Sequence, residues 1–67
     1  MTNTDPAVLY KGHVRFVEIA SRGNHIIMDA GPREPLPYGL FSTTGLLLAR
    51  VESRVLADYL LDCHEAD

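Results

Sequence analysis

One cysteine, Cys63, is all that the 67 residues of this chain carry, so no internal disulfide can form. That scarcity points to a reducing, cytoplasmic setting, because secreted domains of this size are usually held by several disulfides. Basic charge is also scarce: six Lys and Arg against nine Asp and Glu leave a net charge of −3. Nucleic-acid binders draw much of their affinity from neutralising phosphates, so a direct nucleic-acid partner is not expected. No apolar run approaches the roughly 20 residues that a bilayer-crossing helix needs. The opening residues, Met1 to Pro6, show neither the basic start nor the apolar centre of a secretion signal. These absences together predict a soluble cytoplasmic protein with no membrane partner.

The composition that remains is ordinary for a globular domain, 46% apolar and 22% charged, which argues against disorder along the whole length. A chain this short has room for one modest core and buries only roughly 60% of its unfolded surface. Residues 1–7 are polar around Asp5-Pro6 and are expected to form a flexible tail. Residues 8–67 are then a single small α+β domain.

From Val8 to Ala20 the chain is rich in β-branched and aromatic residues, with Val8, Tyr10, Val14 and Phe16 on alternate positions, which is the period of a strand. Gly12 interrupts the run, and the apolar parity switches at Phe16-Val17, as it does at a bulge. The expectation is one long bent strand. Ser21 to Asn24 reads as a tight turn, because Gly23 and Asn24 tolerate the backbone such turns demand. His25 to Ala30 is a second strand, antiparallel to the first. Three prolines and Gly31 make 31–37 an irregular loop, and Tyr38 to Phe41 adds a short third strand at the edge.

Beyond Thr44 the period changes. Ser42, Thr43 and Thr44 supply hydroxyls suited to a helix N-cap, and the spacing predicts a helix over 46–63. Its core-facing stripe is expected to be Leu48, Val51, Val55, Leu56, Tyr59, Leu60 and Cys63. The predicted fold is therefore α+β: a twisted antiparallel β-hairpin, with the short third strand beside it, packed against one long C-terminal helix.

Little in the pattern points to chemistry. His13, His25, Cys63 and His64 are the residues suited to zinc, but none is spaced as a ligand pair, and neighbours such as Cys63 and His64 diverge on a helix. Asp29, Glu18 and Glu52 are the carboxylates to consider for acid–base work, and they read as surface or rim positions. Gly45 alone at the expected helix start is not a phosphate-binding loop. No catalytic residue, metal or cofactor is expected, and the chain reads as a non-enzyme.

The expected helix has a flank its core does not use. Leu47, Arg54 and Leu61 recur at seven-residue spacing with Arg50 beside them, and apolar residues bracketed by arginine resemble the composition of protein interfaces. These four, with Lys11 and Arg15 as secondary contacts, are the expected partner-binding residues. The stiff proline loop with Tyr38, Leu40 and Phe41 is a second candidate. A homodimer, joined along strand edges or the helix flank, is a further expectation and would add stability to so short a chain.

Two resemblances bear on function. A short, acidic, single-domain chain of this kind resembles the small phage-encoded regulators that bind a host RNA polymerase. That likeness implies transcription inhibition or antitermination by protein–protein contact, in the host cytoplasm. Gly12-His13-Val14-Arg15-Phe16, then Ile27-Met28-Asp29-Ala30, then Gly45-Leu46-Leu47-Leu48-Ala49, resemble the opening half of the OsmC family of thiol peroxidases. In that family a strand hairpin ending in aspartate is followed by a Leu-rich helix. Arg54 stands where the family places its peroxidatic cysteine, so this likeness implies a truncated thiol or small-molecule-binding protein without peroxidase activity.

Overall fold

A computed structural model describes residues 7–66. Five antiparallel strands follow one another as a meander: β1 (Val8–Lys11), β2 (Val14–Arg22), β3 (His25–Asp29), β4 (Tyr38–Ser42) and β5 (Leu47–Val51). One helix, α1 (Arg54–Glu65), ends the fold. The expected fold of a hairpin with one added strand beneath a long helix is thus corrected: the molecule is mostly sheet, curled into a half-barrel, and its helix is short.

The expected long first strand is a hairpin folded at Gly12-His13, with Tyr10 opposite Arg15 and Lys11 opposite Val14. Glu18 N–H donates to Ala7 C=O at 2.9 Å and extends this ladder by one bond. The bulge is present but lies between Glu18 and Ala20, two residues beyond the parity switch in the sequence. It bends β2 and so begins the curl of the sheet. The turn into β3 falls where expected, with Arg22 paired to His25 and Gly23 at φ +58°. The short third strand is β4, an inner strand paired on both sides.

The larger departure lies between Ser42 and Ser53. Ser42 Oγ accepts from Leu46 N–H at 3.1 Å, and the Ser42 and Thr44 hydroxyls are 2.7 Å apart. With Gly45 at φ +92°, these hydroxyls stabilise the β4–β5 turn rather than a helix start. Leu47–Val51 then pairs with β4, and the expected helix over 46–63 is replaced by a strand followed by a helix. The N-cap is Ser53, whose extended backbone (φ −136°, ψ 155°) leaves its hydroxyl to accept from Leu56 N–H at 3.2 Å.

The alternation of side chains splits the core across two faces of the sheet. One face carries Ile27 and Leu40, flanked by Tyr38 and Val51, and α1 covers it with Ala57, Leu60 and Leu61. The other face carries Phe16, Met28 and Phe41, with Leu9, Val14, Ile26 and Leu47 around them, so all five strands contribute. Among the described residues no helix covers this second face, yet Phe16 and Phe41 are buried. The curl of the sheet encloses them. Their rings meet edge to face, with centroids 5.0 Å apart and planes at 71°. Gly39 makes room for the pair: a Cβ there would lie 2.8 Å from the Phe41 ring and 3.2 Å from the Phe16 ring.

The expected tail over 1–7 lies, apart from Ala7, outside the described residues. No described helix is long and apolar enough to cross a membrane.

Candidate functional site

Helix α1 is apolar on two sides, and this decides where a partner can be met. Ala57 and Leu61 are one turn apart and point into the sheet, where both are buried. Val55 and Tyr59, also one turn apart, share the outer side with Leu56. They are 77%, 63% and 44% exposed respectively. Cys63, a further turn along, is exposed as well. The expected core stripe through Val55, Leu56, Tyr59 and Cys63 is therefore the outer face. The flank expected to be outermost supplies Leu61 to the core.

The expected binding residues are dispersed by this arrangement. Leu47 lies on β5 and packs half-buried against Phe16, Met28 and Phe41. Leu61 is buried under the helix. Arg50 is also on β5, where it faces Phe16 with its guanidinium carbon 5.3 Å from the ring centroid. It donates to Leu36 C=O at 3.1 Å from Nε and 2.7 Å from Nη2, and to Glu34 Oε1 at 3.3 Å. Arg50 thus clamps the proline loop onto the open side of the curled sheet. Arg54 opens α1, exposed, and pairs with Asp58 at 3.1 Å. Leu47, Arg50, Arg54 and Leu61 consequently form no single surface. The second candidate is corrected too, because Leu40 and Phe41 are buried and Tyr38 is half-buried against the helix-covered core. Lys11 and Arg15 remain at the surface of the β1–β2 hairpin, Arg15 across the ladder from the 63%-exposed Tyr10 and Lys11 on the alternate face.

The C-terminal turn of α1 is tied to the β2–β3 hairpin. Glu65 accepts from Asn24 N–H at 2.9 Å and pairs with His25 Nδ1, while Asp62 pairs with Arg22. Gly23 lies directly beneath the Glu65 carboxylate, in space a side chain would fill. The hydrogen bond with His25, then that from Asn24 N–H, holds the Glu65 carboxyl below its ordinary range. A carboxyl whose folded pKa is depressed contributes stability above its unfolded pKa and loses it as pH falls through the folded value. The drop in unfolding midpoint between about pH 6 and about pH 3 is accordingly expected to be smaller for Glu65→Gln than for the wild type. Thermal unfolding followed by circular dichroism at both pH values checks this, and equal drops would contradict it.

Concave space is limited. A recess of about 160 Å³ opens between the start of β1 and the β4–β5 turn, walled by Leu9, Ile26, Met28 and Phe41. That is close to the roughly 150 Å³ that holds one benzene molecule, and below the roughly 300 Å³ at which ligand pockets begin. The His25 and His64 rings have centroids 5.2 Å apart. Among the described residues, however, no three of His, Cys, Asp and Glu are grouped to hold a metal ion.

Compared with known proteins, the chain matches no protein-family model, no curated protein and no solved structure. The leucine-rich stretch that carried the OsmC likeness, Leu46 to Ala49, enters strand β5 and not a helix.

Proposed function

We propose that this protein is a small non-enzymatic regulator that acts in the cytoplasm by binding a large protein, with RNA polymerase the first partner to test. The observation that carries this reading is the outer face of α1. A short helix docked on its sheet needs one apolar side, and this one has two. Val55, Leu56 and Tyr59 form a contiguous apolar strip, with an aromatic residue at its centre and Arg54 beside it, on an otherwise acidic molecule. Tyr and Arg beside aliphatic side chains are the composition of energetically dominant interface positions. The helix-in-groove mode of recognition uses anchors three and four residues apart, the spacings of Leu56 and Val55 from Tyr59. RNA polymerase is named because of the resemblance in size, charge and single-domain build to small phage regulators of that enzyme. Inhibition and antitermination are the two outcomes such contact would have.

Transcription in vitro with purified bacterial RNA polymerase tests the reading. Addition of the wild-type protein is expected to change full-length transcript yield or readthrough of a terminator, and Val55→Glu/Tyr59→Glu to have no effect. Both side chains are exposed, so the variant is expected to unfold with the wild-type midpoint to within about 0.5 kcal/mol per site. No change with the wild type, or the same change with both proteins, would contradict the reading.

A further inference from the structure

Beside α1 the sheet carries a second apolar surface that the described chain leaves bare. Leu9 and Phe16, opposite each other on β1 and β2, point to the face that carries Phe41. By alternation Val8 and Tyr10, with Val17 and Arg15 across from them, lie on the other face, the one α1 covers. The helix packs there on β3, β4 and β5. Val8, Tyr10 and Val17 join neither core cluster. Val8 and Tyr10 are 43% and 63% exposed, and Val17 is half-buried. Arg15 is exposed beside them and forms no ion pair among the described residues.

We infer that a second copy of this chain covers this surface, laying the outer strip of its α1 across β1 and β2 in a two-fold dimer. Each surface supplies what the other lacks. The strip is apolar through Val55, Leu56 and Tyr59. Glu52, three residues ahead of Val55, is exposed and forms no ion pair among the described residues. The sheet patch is apolar through Val8, Tyr10 and Val17, and Arg15 is its cation. Opposite charges beside two apolar surfaces fix the register of a contact as well as its affinity. The shapes match too: a helix about 10 Å across rests over two neighbouring strands, which lie about 5 Å apart. One copy presents both surfaces, so a two-fold axis makes the contact twice and leaves neither bare.

This dimer rests on the reading of the outer side of α1 as a docking surface, and it makes a second copy the occupant that a large partner must displace. Sedimentation equilibrium of the full chain, at concentrations up to about 1 mM, tests it. The mean mass of the wild type is expected to rise from monomer towards dimer. Arg15→Glu and Glu52→Arg are each expected to weaken the dimer about tenfold or more. Arg15→Glu/Glu52→Arg is expected to restore it to within about threefold of the wild type. Both positions are exposed, so the variants are expected to fold, which circular dichroism checks. A monomer at every concentration, masses beyond a dimer, single variants that associate as the wild type does, or no rescue by the double variant would each overturn the dimer. Arg15→Glu leaves α1 untouched, so its monomer is expected to keep a polymerase effect that Val55→Glu/Tyr59→Glu abolishes. A wild type that stays monomeric yet acts on polymerase overturns the dimer alone. A dimer without any polymerase effect overturns the polymerase reading alone.

Discussion

Phe41→Ala is expected to remove most of the stability of the domain. Phe41 is buried in the curl of the sheet, edge to face with Phe16 and against Met28, in a cluster that no described helix supports. Truncating a buried Phe costs about 3–5 kcal/mol, through lost burial and the cavity left behind. At about 0.05–0.15 kcal/mol per residue, a domain of this length holds only roughly 3–10 kcal/mol in total. The cavity cannot be filled cheaply, because neighbouring side chains on a strand are fixed in direction by the ladder. Urea denaturation followed by far-ultraviolet circular dichroism is expected to show a midpoint reduced by about half or more, or no folded baseline. A loss below about 1 kcal/mol would mean that the sheet does not close over this side chain.

The second large effect is at Leu61. Leu61→Ala is expected to cost about 2–5 kcal/mol, because Leu61 and Ala57 are the fully docked positions of α1 on Ile27 and Leu40. Val55→Ala, two turns away on the opposite side, is expected to change stability by no more than about 0.5 kcal/mol. The contrast is diagnostic of helix orientation. Were α1 turned so that Val55, Leu56 and Tyr59 faced the sheet, the two costs would be exchanged. The same denaturation experiment reads both variants.

That reversal shows how far the sequence alone could carry the fold. The strand at Val8 is legible because β-branched and aromatic residues alternate there, those at His25 and Tyr38 because short apolar runs are bounded by Gly and Pro, and the Gly23 turn because positive φ selects glycine. The Gly12 hairpin was visible as an interruption but reads equally as a bend within one strand. Leu46 to Val51 was not legible. Its leucines and alanine favour a helix locally, and only pairing with β4, held by the Ser42 and Thr44 hydroxyls in the preceding turn, makes it a strand. Read as helix, that segment lets its leucines set the phase of the stripe and places the core on the wrong side of α1. Ala57 could not correct the phase, because alanine contributes little hydropathy even where it is the best-packed residue. Ser53, a cap residue immediately before Arg54-Val55-Leu56, is the signal that marks the true start of the helix.

The candidate surface followed the same course. Lys11 and Arg15 lie at the surface, as charged residues do, but the Gly12 hairpin puts them on separate strands and on alternate faces. Leu47, Arg50 and Leu61 share a flank only if 46–63 is one helix, and each has a role inside the molecule. Val55 and Tyr59 read as core from sequence, although an apolar pair one turn apart serves a core and an interface equally well. Side-chain pattern alone cannot distinguish the two until the other side of the helix is known to be buried.

Direct binding to purified RNA polymerase, measured by biolayer interferometry with wild type and Val55→Glu/Tyr59→Glu, decides whether the outer face of α1 docks on that enzyme. Saturable binding by the wild type is expected, with binding at least about tenfold weaker by the variant and both proteins equally folded. Equal binding by the two, or none by the wild type, would contradict it.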